Sequence, residues 1–299
     1  MAAMSSLHES ALAYRGRRYL WVALALAAAS VLAYAWHSPA VPPNGGTWLG
    51  YTLGTVASLL ILLLLALGVR KRSYHSTLGT VRGWVSAHVY LGLALVVVAT
   101  LHTGFHFGRN VHTLAYVLMC LVSALGIVGV VLYARYPASM SVNRQGRARA
   151  QLVEEVNDLN ARALRVAQAL PAEFLAAVRS ARDRLVLGGN AWTLLTGRDR
   201  SRVVLPGNDG ASAPLANPFQ ATLIAWLGDR LARCQDGEVA PRIQSLLTLI
   251  SAQRVAVERL KRDLAFQAWL DAWLYVHVPL SFALLAALLA HVVSVFLYW

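Results

Sequence analysis

The sequence predicts an all-α membrane protein: a polytopic bundle of five spans, with a helical insertion between the fourth and fifth spans. Three observations lead to this class. Hydrophobic residues make up 57% of the 299 residues and charged residues only 14%, a balance that excludes a soluble globular protein. Five stretches are apolar over a length that crosses a hydrocarbon core of about 30 Å. One long polar segment, residues 137–270, separates the last two of these stretches.

Aromatic residues mark the ends of the predicted spans, as they do at membrane interfaces. The spans are expected at residues 19–36, 48–69, 84–105, 112–133 and 273–298. The aromatic residues near their ends are Trp21, Trp36, Trp48, Trp84, Tyr133, Trp273, Tyr298 and Trp299. Arginines precede the first span, as in a secretory signal, but its apolar stretch is longer than a usual signal core. We therefore interpret it as a retained span.

Basic residues beside the short loops predict the orientation. They lie before the first span and between the second and third, at Arg15, Arg17, Arg18, Arg70, Lys71, Arg72 and Arg82. The loop of residues 37–47 has none, and the next outer loop has only Arg109. We expect a bacterial inner-membrane protein with a cytoplasmic amino terminus and insertion and a periplasmic carboxyl terminus. The net charge of +13 then suits anionic headgroups rather than nucleic acid.

The predicted domains follow from these spans. They are a cytoplasmic tail (1–18), the first four spans (19–136), a cytoplasmic helical insertion (137–270) and the fifth span (271–299). The insertion holds a helical seam, whose residues are Leu152, Val156, Leu159, Ala163, Val166 and Leu170. A second helix is expected to open at Pro171, a long loop at residues 196–218, and a helix after Pro241 that continues into the fifth span.

Four histidines inside the spans carry the functional signal, because ionisable residues in a membrane are costly and usually serve a purpose. His88 and His102 are fourteen residues apart on the third span, and His277 and His291 are fourteen apart on the fifth. Along an α-helix, fourteen residues rotate by about 1400°, which is about 40° less than four full turns, and rise by about 21 Å. Each pair therefore shares a face, at a separation that allows two haems to be stacked through the membrane.

The third and fifth spans run in the same direction if the insertion stays on one side. His88 should then face His277 at the inner level, and His102 should face His291 at the outer level. Bis-histidine iron is closed to small ligands and suits electron transfer. The plainer alternative is that these are isolated histidines that hydrogen-bond between helices, but two pairs of identical spacing argue against it.

Small residues with the same spacing predict room for a flat macrocycle on the neighbouring spans. They are Gly54 and Gly68 on the second span and Ala115 and Gly129 on the fourth. Such residues are also common in membrane helices for other reasons. Arg82 and Arg109 are candidate partners for haem propionates, although the positive-inside bias explains Arg82 equally well.

The remaining polar residues give weaker signals. His106 and His112 could take up a quinol proton, but interfacial histidines without a function are the favoured interpretation. The two cysteines, Cys120 and Cys234, are too few for a disulfide framework or a cysteine-bound iron–sulfur cluster. The absence of a Cys-x-x-Cys-His sequence excludes covalently attached c-type haem in this chain. No catalytic residue is assigned.

The pattern resembles the dihaem four-helix cytochrome b architecture of the cytochrome b subunits in quinol:cytochrome c oxidoreductases. It is also similar to the membrane domains of ferric reductases and NADPH oxidases. The residues that carry the resemblance are His88-x13-His102, His277-x13-His291 and Gly54-x13-Gly68, on the second to fifth spans. It implies two haems b with these four histidines as axial ligands, and electron transport between the two sides of the membrane.

The departures from that pattern imply partners. The chain has no Pro-Glu-Trp-Tyr-like quinol-site segment and no Gly-rich nucleotide or flavin segment. We expect an electron-transfer subunit of an oxidoreductase, with an iron–sulfur or flavin protein docked on residues 137–270. A c-type cytochrome or membrane quinone would exchange electrons on the outer side. Two alternatives are a quinone-linked dehydrogenase anchor and a haem-free membrane scaffold or signalling protein.

Overall fold

Helices dominate the part of the chain that the structure describes. The computed structural model describes residues 11–39, 44–73, 77–144, 149–206 and 213–297, apart from the side chains of residues 11 and 136–144. The helices are α1 (Tyr14–Trp36), α2 (Trp48–Arg72), α3 (Val81–Thr103), α4 (Val111–Arg144), α5 (Arg149–Gln168), α6 (Ala172–Asp183), α7 (Ala191–Thr196), α8 (Ala221–Ala232) and α9 (Ala240–Leu297). Within these described ranges there are also two short strands, β1 (Arg202–Val203) and β2 (Leu215–Ala216). Tyr298 and Trp299 of the predicted aromatic belt lie outside the described residues.

Helices α1, α2, α3, α4 and α9 are long and apolar enough to cross a membrane. Large apolar side chains on these helices face outward, among them Trp21, Leu63, Leu121 and Phe282. Water would make such a surface costly, whereas lipid tails accept it. The predicted class, an all-α polytopic bundle, is therefore confirmed, and the five apolar helices indicate an integral membrane protein.

The chain divides into two compact units, and α4 and α9 contribute residues to both. The first unit comprises Met1–Val131 and Trp273–Trp299. Its core is formed by Leu53, Val98 and Leu284, from α2, α3 and α9, with other buried aliphatic residues. The starts of α2 and α3 are fixed by Thr47 and Thr80, whose hydroxyl oxygens accept from the third backbone N–H beyond them, both at 3.1 Å.

The second unit, Leu132–Ala272, is a helical domain with its own core. Its largest cluster includes Phe174, Val178, Leu223, Leu246 and Ile250. The predicted seam lies on α5 except for Leu170, which lies in the turn after it, and all its members are buried or partly buried. Helix α6 begins directly after Pro171, and α9 runs without interruption from Ala240 into the fifth span, as the sequence predicts.

The segment of residues 196–218 contains more structure than the predicted loop. Strand β1 pairs with β2 in antiparallel register, with Arg202 opposite Ala216. Asn217 then begins the turn into α8, because its side-chain oxygen accepts from the backbone N–H groups of Thr222 and Leu223. Two-residue strands are too short to leave a periodic pattern, which is why the sequence analysis missed them.

Candidate cofactor site between four histidines

The structure brings the four histidines of α3 and α9 together as two pairs. The ring centroids of His88 and His277 are 6.5 Å apart, and those of His102 and His291 are 6.0 Å apart. Since the earlier histidine of α3 meets the earlier histidine of α9, these two spans run in the same direction. The two levels are called here the His88 level and the His102 level.

Both histidines of α3 are oriented by the backbone of α2. His88 Nδ1 lies 3.0 Å from the carbonyl oxygen of Leu64, and His102 Nδ1 lies 2.7 Å from that of Gly50. A carbonyl oxygen can only accept, so Nδ1 carries the hydrogen in both rings. Nε2 of each neutral ring is then left with a lone pair, which is the form that binds a metal.

The histidines of α9 are oriented by side chains instead. His277 is buried and stacks on the Trp273 indole, with ring centroids 5.1 Å apart and planes inclined by 21°. The indole N–H donates to the carbonyl oxygen of Leu125 at 2.8 Å. His277 Nδ1 is buried and has no hydrogen-bond partner within the described part of the chain. His291 Nδ1 forms a hydrogen bond with Nδ1 of His112 on α4.

The spacing of the paired rings fits an iron atom between them. An imidazole nitrogen bonds a first-row metal at about 2.0 Å and lies about 1.1 Å from its ring centre, so two opposed imidazoles have centroids about 6.2 Å apart. The observed distances, 6.5 and 6.0 Å, lie on either side of this value. No group of three or more His, Cys, Asp or Glu side chains in the described ranges could hold a metal ion. A haem needs only two protein ligands, because the porphyrin supplies four nitrogens.

A cavity of about 510 Å³ adjoins the His102 level, within the size range of ordinary ligand pockets. Its lining includes both His102 and His291. Apolar residues from the helix interiors, such as Ile61 and Leu284, form one part of the wall. Loop residues and residues near helix ends form a polar part, which consists of Asn44, His106, Asn110, His112 and Thr113. A haem has the same division, with an apolar macrocycle and two carboxylates at one edge.

The four small residues occupy different surroundings. A methyl group at Gly54 would lie 2.7 Å from Cε1 of His102, so this glycine gives room to the histidine ring itself. Gly129 gives room to the Trp273 indole, and Ala115 lines the cavity. A methyl group at Gly68 would meet nothing within 4 Å. Their predicted role in packing a macrocycle stays a prediction.

Both candidate propionate partners are exposed. Arg82 lies in the first turn of α3, six residues before His88, and Arg109 lies in the connection between α3 and α4. The cavity at the His102 level is lined by the neighbouring Asn110 and by His106, and Arg109 is not among its lining residues. The propionate role of the two arginines stays a prediction.

From the sequence, Trp273 was expected only in the aromatic belt, and His112 was expected to be an interfacial histidine. Trp273 stacks on one predicted ligand and His112 bonds another. Trp273 carried a usable signal, since it precedes His277 by four residues and so shares its helix face. His112 has no such relation to His291 in sequence. Comparison of the chain with protein-family models, curated proteins and solved structures gave no match.

Proposed function

We propose that this chain is a dihaem b-type cytochrome, a membrane subunit that transfers electrons across the membrane within a multi-component oxidoreductase. The observation that carries the proposal is the pairing of four histidines at two levels, with ring centroids 6.5 and 6.0 Å apart. When bound, each bis-histidine haem supplies one-electron chemistry with no open coordination position. The histidines of α3 would bind through Nε2, because Nδ1 is held by α2.

The distance between the two levels suits transfer through a bilayer. Fourteen helical residues separate them, which is about 21 Å along a helix. The hydrocarbon core is about 30 Å thick, so two centres placed this way divide the crossing into shorter steps. Buried aliphatic residues such as Leu95 and Val98 lie between the two histidines of α3 and keep that interval apolar.

The orientation is proposed from the basic end of the bundle. Thr80, before α3, donates a hydrogen bond to the Tyr14 hydroxyl at the start of α1, which brings these two helix starts together. Arg70, at the end of α2, donates to the backbone oxygens of Ser73 and Gly79 at 3.0 and 2.8 Å. By the positive-inside rule this end is cytoplasmic, and the His88 level is then the inner one. A bacterial inner membrane and a periplasmic carboxyl terminus complete this proposal.

The insertion is proposed as the docking platform for a cytoplasmic iron–sulfur or flavin subunit. Arg198, Arg200 and Arg202 are exposed, while Asp199 and Ser201 between them point inward. Asp199 accepts from Lys261 at 2.9 Å and from the backbone N–H groups of Ser201 and Phe219. This anchoring presents three arginines in a fixed row to an acidic partner. A c-type cytochrome or membrane quinone is proposed for the other side.

The decisive experiment counts and assigns the haems. Protein expressed with ample haem should contain two haems per chain by a pyridine haemochrome assay. His88→Ala and His277→Ala should each damage one haem, and His102→Ala and His291→Ala should each damage the other. Redox titration distinguishes the two haems. Purified protein without a Soret band would overturn the proposal and favour a haem-free scaffold, while matching losses for His88→Ala and His291→Ala would overturn the pairing.

A further inference from the structure

We infer that His112 is a positioning residue: its Nδ1 accepts a hydrogen bond from His291 Nδ1–H and so orients His291 Nε2 toward iron at the His102 level. This inference rests on the proposed function. The two Nδ1 atoms are hydrogen-bonded, and the ring centroids are 4.5 Å apart with planes inclined by 89°. His112 lies in the first turn of α4 and lines the cavity next to His102 and His291.

The direction of this hydrogen bond follows from metal binding. Either ring could donate to the other as long as both are neutral. If His291 binds iron through Nε2, its remaining hydrogen is on Nδ1, so His291 must donate and His112 must accept. His112 then carries its own hydrogen on Nε2. The pair thus has one arrangement that is compatible with coordination.

His112 makes the two levels unequal. At the His102 level both ligands have a hydrogen-bonded Nδ1: His102 bonds the carbonyl oxygen of Gly50, and His291 bonds His112. At the His88 level, His88 bonds the carbonyl oxygen of Leu64, whereas His277 Nδ1 has no partner in the described part of the chain. An acceptor at Nδ1–H raises the basicity of the ligand and favours ferric iron, which lowers the midpoint potential of that haem.

The main variant is His112→Phe, which keeps a ring of similar size and removes the acceptor. His112 is exposed, so the fold should tolerate the change. The rescue variant is His112→Gln, whose amide oxygen can accept in place of Nδ1. The matched control is His37→Phe, because His37 follows α1 directly, packs against the Trp48 ring and does not line the cavity.

The full chain, loaded with haem in the cell, is purified for each variant and examined by redox titration and by electron paramagnetic resonance of the ferric state. His112→Phe should raise the midpoint potential and change the low-spin signal of one haem, the one that His102→Ala removes, and weaken its retention by about 10- to 100-fold. His112→Gln should restore much of the wild-type behaviour, and His37→Phe should match the wild type. His112→Leu gives a second test if the phenylalanine variant does not accumulate.

Three outcomes would overturn the inference: two unchanged haems in His112→Phe and His112→Leu, equal changes at both haems, or the same change in His37→Phe. These results are distinct from failure of the proposed function, in which the wild-type protein itself would contain no haem.

Discussion

Gly54→Ala and Gly68→Ala form a matched pair that tests the geometry of the His102 level. Both substitutions add one methyl group to α2, at positions fourteen residues apart. At Gly54 the new carbon would lie 2.7 Å from Cε1 and 2.9 Å from Nδ1 of His102. Ordinary contact begins at 3.4 Å, so the ring must move by about 0.7 Å. At Gly68 the new carbon would meet nothing within 4 Å.

The expected magnitude follows from this displacement. A functional site must be held within about 0.5 Å of its productive geometry, so the movement of His102 exceeds what the site tolerates. The same movement strains the 2.7 Å hydrogen bond between His102 Nδ1 and the Gly50 carbonyl oxygen. We expect Gly54→Ala to weaken haem retention at this level by about 10- to 100-fold. Gly68→Ala should be neutral or stabilise the helix by up to about 1 kcal/mol.

The assay measures transfer of haem from each purified variant to an excess of a haem acceptor protein, together with redox titration of the haem that remains. Gly54→Ala should release one haem faster and keep the haem of the His88 level unchanged. The reasoning would be refuted if Gly54→Ala retained both haems as tightly as the wild type, or if Gly68→Ala released haem just as fast. Equal loss of both haems in Gly54→Ala would indicate general unfolding and would refute it as well.

Gly129→Ala would place a methyl group against the Trp273 indole, 2.9 Å from Nε1. It should shift the midpoint potential of the haem at the His88 level in a redox titration. Gly126→Ala is the control and should leave this potential unchanged, because its methyl group would lie 3.9 Å from His277 Cε1. In the insertion, Asp199→Ala removes the partner of buried Lys261 and should cost about 3–5 kcal/mol of stability, part of which Lys261→Met should restore in the double variant. Thermal unfolding of the full chain in detergent checks both changes. The same assay, repeated at different pH values, tests how the stability contributed by Asp199 depends on pH. Burial raises the pKa of Asp199, but hydrogen bonds from Ser201, Phe219 and Lys261 outweigh this effect and hold the pKa below 3.8. Its stabilisation is then complete above that pH and is lost as the pH falls through the lowered pKa, so the wild-type advantage over Asp199→Ala should shrink only below about pH 4.

The membrane spans and α6 could be predicted from the sequence because each leaves a recognisable signal. Apolar stretches of about twenty residues mark the spans, and Pro171 marks the start of α6. The β1–β2 pair was missed because each strand has only two residues. Helix α8 is as long as α6, but no proline marks its first position, and its start depends on a tertiary contact. Asn217, for example, starts α8 through its side chain, yet its neighbours are typical of a loop.

The sequence was enough to predict which histidines of the candidate site form pairs, but not which groups contact their rings. Helical spacing and helix direction are enough to place His88 against His277 and His102 against His291. The hydrogen-bond and stacking partners of the rings depend on how the neighbouring helices are rotated and shifted along their axes. The spacing of residues in the sequence does not give these two quantities. His112 is 179 residues from His291, and the Gly50 carbonyl is a backbone atom with no sequence signature.

Helix α2 presents two backbone carbonyls at the same spacing as the two histidines of α3. The carbonyls of Gly50 and Leu64 are fourteen residues apart, the interval that separates the two histidines they contact on α3. Four residues after each carbonyl stands a glycine, Gly54 or Gly68. A helical side chain leans toward the preceding turn, and a methyl group at Gly54 would meet the His102 ring, so this glycine leaves the Gly50 carbonyl open to the ring. A methyl group at Gly68 would meet nothing within 4 Å, so the Leu64 carbonyl is open to His88 without help from that glycine.

The α3 ligands are thus oriented by backbone atoms, which no side-chain substitution on α2 removes directly. The α9 ligands depend on the side chains of Trp273 and His112. Substitutions of Trp273 or His112 should therefore change the midpoint potential of one haem and leave the other unchanged. On α2, only a substitution that places a methyl group against a histidine ring, such as Gly54→Ala, should have a strong effect. This difference between backbone and side-chain support is the physical reason to expect unequal properties from two sites built on the same fourteen-residue spacing.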